Sequence, residues 1–226
     1  MMVLVFDLDD TLYDEITFVK SGYKAVAGWL HQHYGLDEAQ VYHDLEAQLM
    51  AKGRDNAFNE VLGRYGIFST AIVRKCLSVY RLHSPVIRLN EDAVKCLERF
   101  REYPKYIVTD GNKIVQGAKI KALDFKPDQI KKAFVTYRYG RKHSKPSPYC
   151  FLKISTLEGV SPENVIYIGD NPNKDFVGIK PLGFKTIRIL QGMFKDVRKE
   201  AAYEADLNIR SLNELTEDLI RKNFNL

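Results

Sequence analysis

The stretch Val3-Leu4-Val5-Phe6-Asp7-Leu8-Asp9-Asp10-Thr11 runs four apolar residues straight into a cluster of acidic ones. A short, uninterrupted apolar run rich in strand formers reads as a strand buried on both faces. Residues two apart on a strand point the same way, so Asp7 and Asp9 leave its end together. Two close carboxylates repel, and the repulsion is relieved by a divalent cation or by a proton on one of them. Such a pair can divide labour, one member ionised and nucleophilic, the other protonated and acting as a general acid. Taken alone, the stretch reads equally well as an acidic turn that caps the next helix.

Further along, strand-like runs recur at Tyr106-Ile107-Val108, Ala133-Phe134-Val135, Val165-Ile166-Tyr167-Ile168 and Thr186-Ile187-Arg188-Ile189, with a weak last one at Leu207-Asn208-Ile209. Helical spacing separates them: Glu91 to Phe100, Lys113 to Leu123, Pro148 to Leu157, and a short stretch after Asn173. Strands alternating with helices predict an α/β fold, a Rossmann-like parallel sheet covered on both sides. The stretch from Ile16 to His83 breaks the rhythm, with helical spacing only and breaks at Gly35, Gly53 and Gly66. Ser84-Pro85 closes it with an extended link. The expected organisation is a core of 1–15 and 85–226 with an α-helical module, 16–84, inserted after the first strand.

Three more segments sit at expected strand ends, the edge where open parallel sheets bind ligands. Thr109-Asp110-Gly111 offers a hydroxyl and backbone amides that can hold a phosphate oxygen, or a helix N-cap turn. Lys145-Pro146-Ser147-Pro148 places a lysine just before a helix start. Gly169-Asp170-Asn171-Pro172-Asn173-Lys174-Asp175 ends a strand in an acidic loop, and hard cations want carboxylate oxygens.

The 226 residues are 45% apolar and 28% charged, which excludes disorder as the main state. No apolar run is long enough to span a membrane, and the first strand lacks the basic leader of a signal peptide. Cys76, Cys96 and Cys150 are odd in number and far apart, which points to a reducing cytoplasm rather than a zinc site. The formal charge of +5 suits an anionic substrate or simple solubility. Lys131, Lys132, Arg138, Arg141, Lys142 and Lys145 crowd one stretch among Phe134, Tyr137 and Tyr139. That stretch reads as a solvated loop or as electrostatic recruitment of a phosphorylated substrate. No nucleic-acid module accompanies it.

Together the four segments resemble the four motifs of the haloacid dehalogenase superfamily of hydrolases: Asp7-x-Asp9-x-Thr11, Thr109, Lys145, and Gly169-Asp170 with Asp175. Order and spacing match, and the helical insertion looks like that family's C1-type cap. Asp10 stands where many members have glycine. The resemblance implies Asp7 as the nucleophile and Asp9 as the acid/base. It implies phosphate binding by Thr109, Asp110 and Lys145, and Mg²⁺ held by Asp7, the backbone carbonyl of Asp9 and Asp170, with Thr11 and Asp175 supporting. Dehalogenases lack the second aspartate, so the phosphatase branch is favoured. The run Thr109-Asp110-Gly111…Gln116…Lys119-Ile120 resembles its small-metabolite members.

The expected activity is a Mg²⁺-dependent phosphomonoesterase acting on a small sugar phosphate or nucleotide through an aspartyl phosphate. A phosphomutase and a non-catalytic phosphometabolite-binding protein are the alternatives. Tyr13, Asp14 and Phe18, where the chain enters the cap, are candidates for substrate contact. A monomer or homodimer without nucleic-acid or membrane partners is expected.

Overall fold

The computed structural model describes residues 1–224; the last two positions of the expected core segment lie outside the described residues. The chain divides into two compact units, one of Met1–Glu15 with the chain from Arg88 onward, the other Ile16–Ile87.

The first unit is built on six strands: β1 (Val3–Phe6), β2 (Lys105–Thr109), β3 (Lys132–Val135), β4 (Val165–Gly169), β5 (Lys185–Ile189) and β6 (Leu207–Ile209). All pair in parallel, in the order β3-β2-β1-β4-β5-β6. Every residue of β1, β2 and β4 is buried, as the continuous apolar runs require of a sheet covered on both faces. The strand order reverses between β1 and β4, and a crevice opens at the carboxyl ends of strands at such a switch point. Phe6 is opposite Ile168 and Val5 opposite Tyr106, so the chain leaves β1, β2 and β4 on one edge with Asp7, Thr109 and Asp170 close in register.

Helices α5 (Glu91–Arg99), α6 (Lys113–Ala122) and α7 (Tyr149–Glu158) lie between strands as the periodicity predicts. Asn112 caps α6 by accepting from the Ile114 amide. One core cluster joins Val3, Val5, Val108, Phe134, Phe151, Ile154, Tyr167 and Phe176; each large apolar side chain buried there contributes about 1.5–3 kcal/mol.

Two elements depart from expectation. No α-helix forms between Asn173 and β5. The Lys174 and Asp175 amides instead turn back onto the Asn171 carbonyl, and the Asp175 carboxylate takes the Asn171 amide at 2.9 Å. Local side-chain bonds of this kind offer the backbone an alternative to helix. Conversely, residues Glu217–Phe224 form a helix with Ile220 buried, too short and polar for its period to stand out.

The second unit holds α1 (Glu15–Tyr34, all but its first residue), α2 (Glu38–Lys52), α3 (Ala57–Arg64) and α4 (Thr70–Leu82). Its own core gathers Val19, Tyr23, Val26, Leu30, Val41, Leu45, Val61, Leu62 and Cys76. Asp37 and Ser69 cap α2 and α4 by accepting from the Gln40 and Ile72 amides.

Candidate active site

Asp7 is the first residue past β1, and its carboxylate is buried. Oδ1 accepts from the Leu8 amide at 2.8 Å, and Oδ2 lies 2.9 Å from Lys145 Nζ. Lys145 Nζ also reaches Asp175 Oδ1 at 2.7 Å and the Tyr167 hydroxyl at 2.8 Å. The three donors of the ammonium are thereby all engaged. Asp170 completes the group: Asp7, Asp170 and Asp175 each offer an oxygen within 4.8 Å of the others.

Burial pushes Asp7 up to about 6 against the pull of Lys145, and Asp170 up to about 9 with Asp175 and Asp7 adding to it. Burial also opposes the charge on Lys145, yet Asp175 and Asp7 hold its pKa well above the ordinary value. Burial is the larger cause of both shifts, the neighbouring carboxylates add to it, and Lys145 offsets only part of the two, which leaves a deficit of positive charge. A hard cation with oxygen ligands answers that deficit. Asp7 and Asp170 fit such an ion; Asp175 already spends both oxygens on Lys145 and the Asn171 amide.

Asp9 meets different surroundings. Its Oδ1 receives Lys119 Nζ at 2.6 Å and a short hydrogen bond from the Tyr13 hydroxyl; its Oδ2 receives Gln116 Nε2 at 2.9 Å. Burial pushes its pKa up, but Lys119 and these donors outweigh burial and hold it below the usual carboxylate value. The two aspartates do separate in proton affinity. Burial is what pushes Asp7 up, and Lys119 with the neighbouring donors is what holds Asp9 down.

Thr109 Oγ accepts from the second hydrogen of Gln116 Nε2 at 2.7 Å, which leaves its own hydroxyl proton to donate elsewhere. Asp110 binds three neighbours: the Thr136 hydroxyl at 2.7 Å, the Lys145 amide at 3.1 Å and Lys174 Nζ at 3.1 Å. Asp10 has φ 51°, a left-handed conformation that explains why glycine suits this place. Its carboxylate accepts from the Glu15 and Met193 amides at 2.8 and 3.3 Å.

These groups enclose a cavity of about 170 Å³ whose walls carry six carboxylates, one lysine (Lys174), Thr109 and one large apolar side chain, Phe194. Of the sequence candidates, Asp7, Asp9, Thr109, Asp110 and Asp170 line it. Lys145 and Asp175 stand behind Asp7 with their side chains almost fully covered. Thr11 is buried, and its hydroxyl has no hydrogen-bond partner.

The three entry residues scatter. Tyr13 is buried and spends its hydroxyl on Asp9; Asp14 is exposed and accepts from Asn90 Nδ2 at 3.0 Å; Phe18 packs in the helical unit with its ring edge-on to Tyr80. In the basic stretch, Lys131 pairs with Glu158 at 2.7 Å, and Tyr139 stacks on Phe134. The roles of Tyr167, Lys174, Gln116 and Lys119 were not read from the sequence. The last two had a trace there, as part of the run that resembles the small-metabolite members.

Residues 1–183 match the model of the haloacid dehalogenase-like hydrolases. The chain belongs to this family. Glyceraldehyde 3-phosphate phosphatase of Methanocaldococcus jannaschii is 28% identical over 95% of each chain. The enzyme of the same name from Pyrococcus furiosus is 28% identical over 98% of this chain and 94% of its own. Among solved structures, the haloacid dehalogenase-type hydrolase YfnB of Bacillus subtilis, bound to magnesium, superposes with a TM-score of 0.65. It is 19% identical and covers 100% of this chain and 99% of its own. This hydrolase is an enzyme of the phosphatase kind, acting on phosphoric monoesters. No helix among its described residues is long and apolar enough to cross a membrane.

Proposed function

We propose that this hydrolase removes phosphate from a small sugar phosphate on the scale of glyceraldehyde 3-phosphate, through an aspartyl phosphate on Asp7, with Mg²⁺ as cofactor. The observation that carries the reading is Asp7 itself: a buried carboxylate fixed between the Leu8 amide and Lys145, at the wall of a cavity of about 170 Å³. The end-to-end likeness to two glyceraldehyde 3-phosphate phosphatases supports the substrate class.

An Asp7 oxygen attacks phosphorus as the bond from phosphorus to the sugar oxygen breaks. The departing oxygen takes a proton from Asp9, which the arriving phosphate dianion makes more basic by like-charge repulsion. Asp9 then removes a proton from water, whose oxygen attacks phosphorus and frees the Asp7 carboxylate, leaving alcohol and inorganic phosphate. The Thr109 hydroxyl, accepting from Gln116, donates to a phosphoryl oxygen; Lys145 fixes Asp7 and carries positive charge next to the attacking group. Asp7, Asp170 and the Asp9 carbonyl would hold Mg²⁺, which when bound supplies charge that offsets the phosphoryl oxygens. The enzyme works in the cytoplasm, in keeping with three buried free thiols.

The test is phosphate release from glyceraldehyde 3-phosphate and from nucleoside monophosphates, with Mg²⁺ and with chelator. Turnover is expected with Mg²⁺, higher kcat/KM is expected on the triose phosphate, and Asp7→Asn is expected to abolish both activities. Equal rates for the natural enzyme and Asp7→Asn overturn the nucleophile. Preference for nucleotides overturns the substrate class.

A further inference from the structure

Gln116 and Lys119 lie three residues apart on α6 and so share one face of the helix. Both are buried, at 2% and 3% exposure. A covered lysine is unusual unless it is paired, and both of these polar ends converge on one carboxylate. Lys119 Nζ sits 2.6 Å from Asp9 Oδ1 and 3.4 Å from Glu15 Oε1. Gln116 Nε2 sits 2.9 Å from Asp9 Oδ2 and, with its other hydrogen, 2.7 Å from Thr109 Oγ. Each oxygen of Asp9 is therefore gripped by a different side chain of the same helix, which leaves the carboxylate one orientation. Gln116 also ties the acid to the phosphate-binding hydroxyl, and both Asp9 and Thr109 face the cavity.

We propose that Lys119 and Gln116 are positioning residues that hold the Asp9 carboxylate at the leaving oxygen of the substrate and at a fixed separation from Thr109. The proposal rests on the reading of Asp9 as the acid/base. A pair serving only to anchor α6 would have no reason to divide its donors between the two oxygens of one aspartate and the hydroxyl beside it. Positioning requires that division, because a proton donor displaced by about 1 Å can lose about a hundredfold in rate.

The readout is leaving-group dependence. p-Nitrophenolate departs readily without a proton, whereas the alkoxide of glycerol 3-phosphate needs one. kcat/KM reports the step in which it leaves. For Lys119→Met, kcat/KM on glycerol 3-phosphate is expected to fall about 100-fold or more, within the usual range of general acid catalysis. On p-nitrophenyl phosphate it is expected to fall less than about tenfold.

Gln116→Leu is expected to show the same split at smaller size, and Lys119→Arg to recover most of the loss. If Lys119→Met does not fold by thermal melting, the latter two variants decide. Asp9→Asn is the reference and must itself show the split; if it does not, the acid assignment falls and the proposal with it. If Asp9→Asn splits while the Lys119 and Gln116 variants depress both substrates equally, or neither, positioning is overturned and the acid assignment stands.

Discussion

Replacing Asp170 with asparagine should make the metal-free enzyme more stable. Asp170 is 4% exposed and has no lysine of its own; Lys145 is engaged with Asp7, Asp175 and Tyr167. Its pKa is about 9 in the folded chain against 3.8 for an ordinary aspartate. Below the lower value both folded and unfolded chains hold the proton, and no penalty exists. Between the two values the unfolded chain ionises while the folded one stays protonated, so stability falls as pH rises, by about 1.4 kcal/mol per unit. At pH 7 the gap is a little over three units, a penalty of about 4 kcal/mol as an upper limit.

Asparagine has the same size and no charge, so it recovers that penalty. For a chain of this length the gain corresponds to about 8–16 °C in melting temperature. The assay is thermal and urea unfolding of both proteins in chelator at pH 5 and pH 7, then with Mg²⁺. The advantage of Asp170→Asn should shrink at pH 5, where the unfolded aspartate is only about one unit above its pKa. Added Mg²⁺ should stabilise the natural enzyme by about 2.7 kcal/mol at a hundredfold excess over its dissociation constant, and the variant far less. If Asp170→Asn in chelator is no more stable than the natural chain at pH 7, the argument that burial beside Asp175 and Asp7 forces Asp170 to take up a proton on folding is refuted.

Gly178→Ala would place a Cβ 1.7 Å from the Pro146 carbonyl oxygen, so backbone must move beside Lys145. A loss of about 3 kcal/mol, at the upper end for overpacking, is expected with a marked fall in phosphatase activity; unfolding curves and kcat check it. Arg188 is fully buried and binds Glu204 at 2.8 Å and the Phe194 and Val197 carbonyls at 2.6 and 2.9 Å. Arg188→Met strands these partners, and should cost about 3–5 kcal/mol and expose residues 190–206 to limited proteolysis.

Much of the core fold was legible because buried parallel strands leave short apolar runs, and all six expected strands formed, including the weak Leu207-Asn208-Ile209. The helices with clear apolar periodicity and glycine or cap boundaries were equally readable. The turn after Asn173 was not, because the side chain of Asp175 bonds the Asn171 amide and so diverts the backbone. Its spacing of Phe176 and Ile179 still looks helical. Arg188 sat inside a readable strand, yet nothing local told that its guanidinium would be fully buried.

At the site the sequence located Asp7 and Asp9 together through their two-residue spacing, but spacing alone gave them equal surroundings. The difference comes from partners far along the chain. Gln116 and Lys119 stand 107 and 110 residues from Asp9, and apart from the family-like run that contains it nothing local marks Lys119 among the 34 lysines and arginines. α6 closes on Asp9 with an ammonium and an amide, so its charge is met by the chain itself. The loop after β4 brings Asp170 and Asp175 to Asp7, so negative charge accumulates faster than Lys145 offsets it. One aspartate is thereby held still and the other is left in need of an external cation. That asymmetry is what a site needs if one carboxylate must stay in place to move protons while its neighbour meets phosphorus under the screening of a metal.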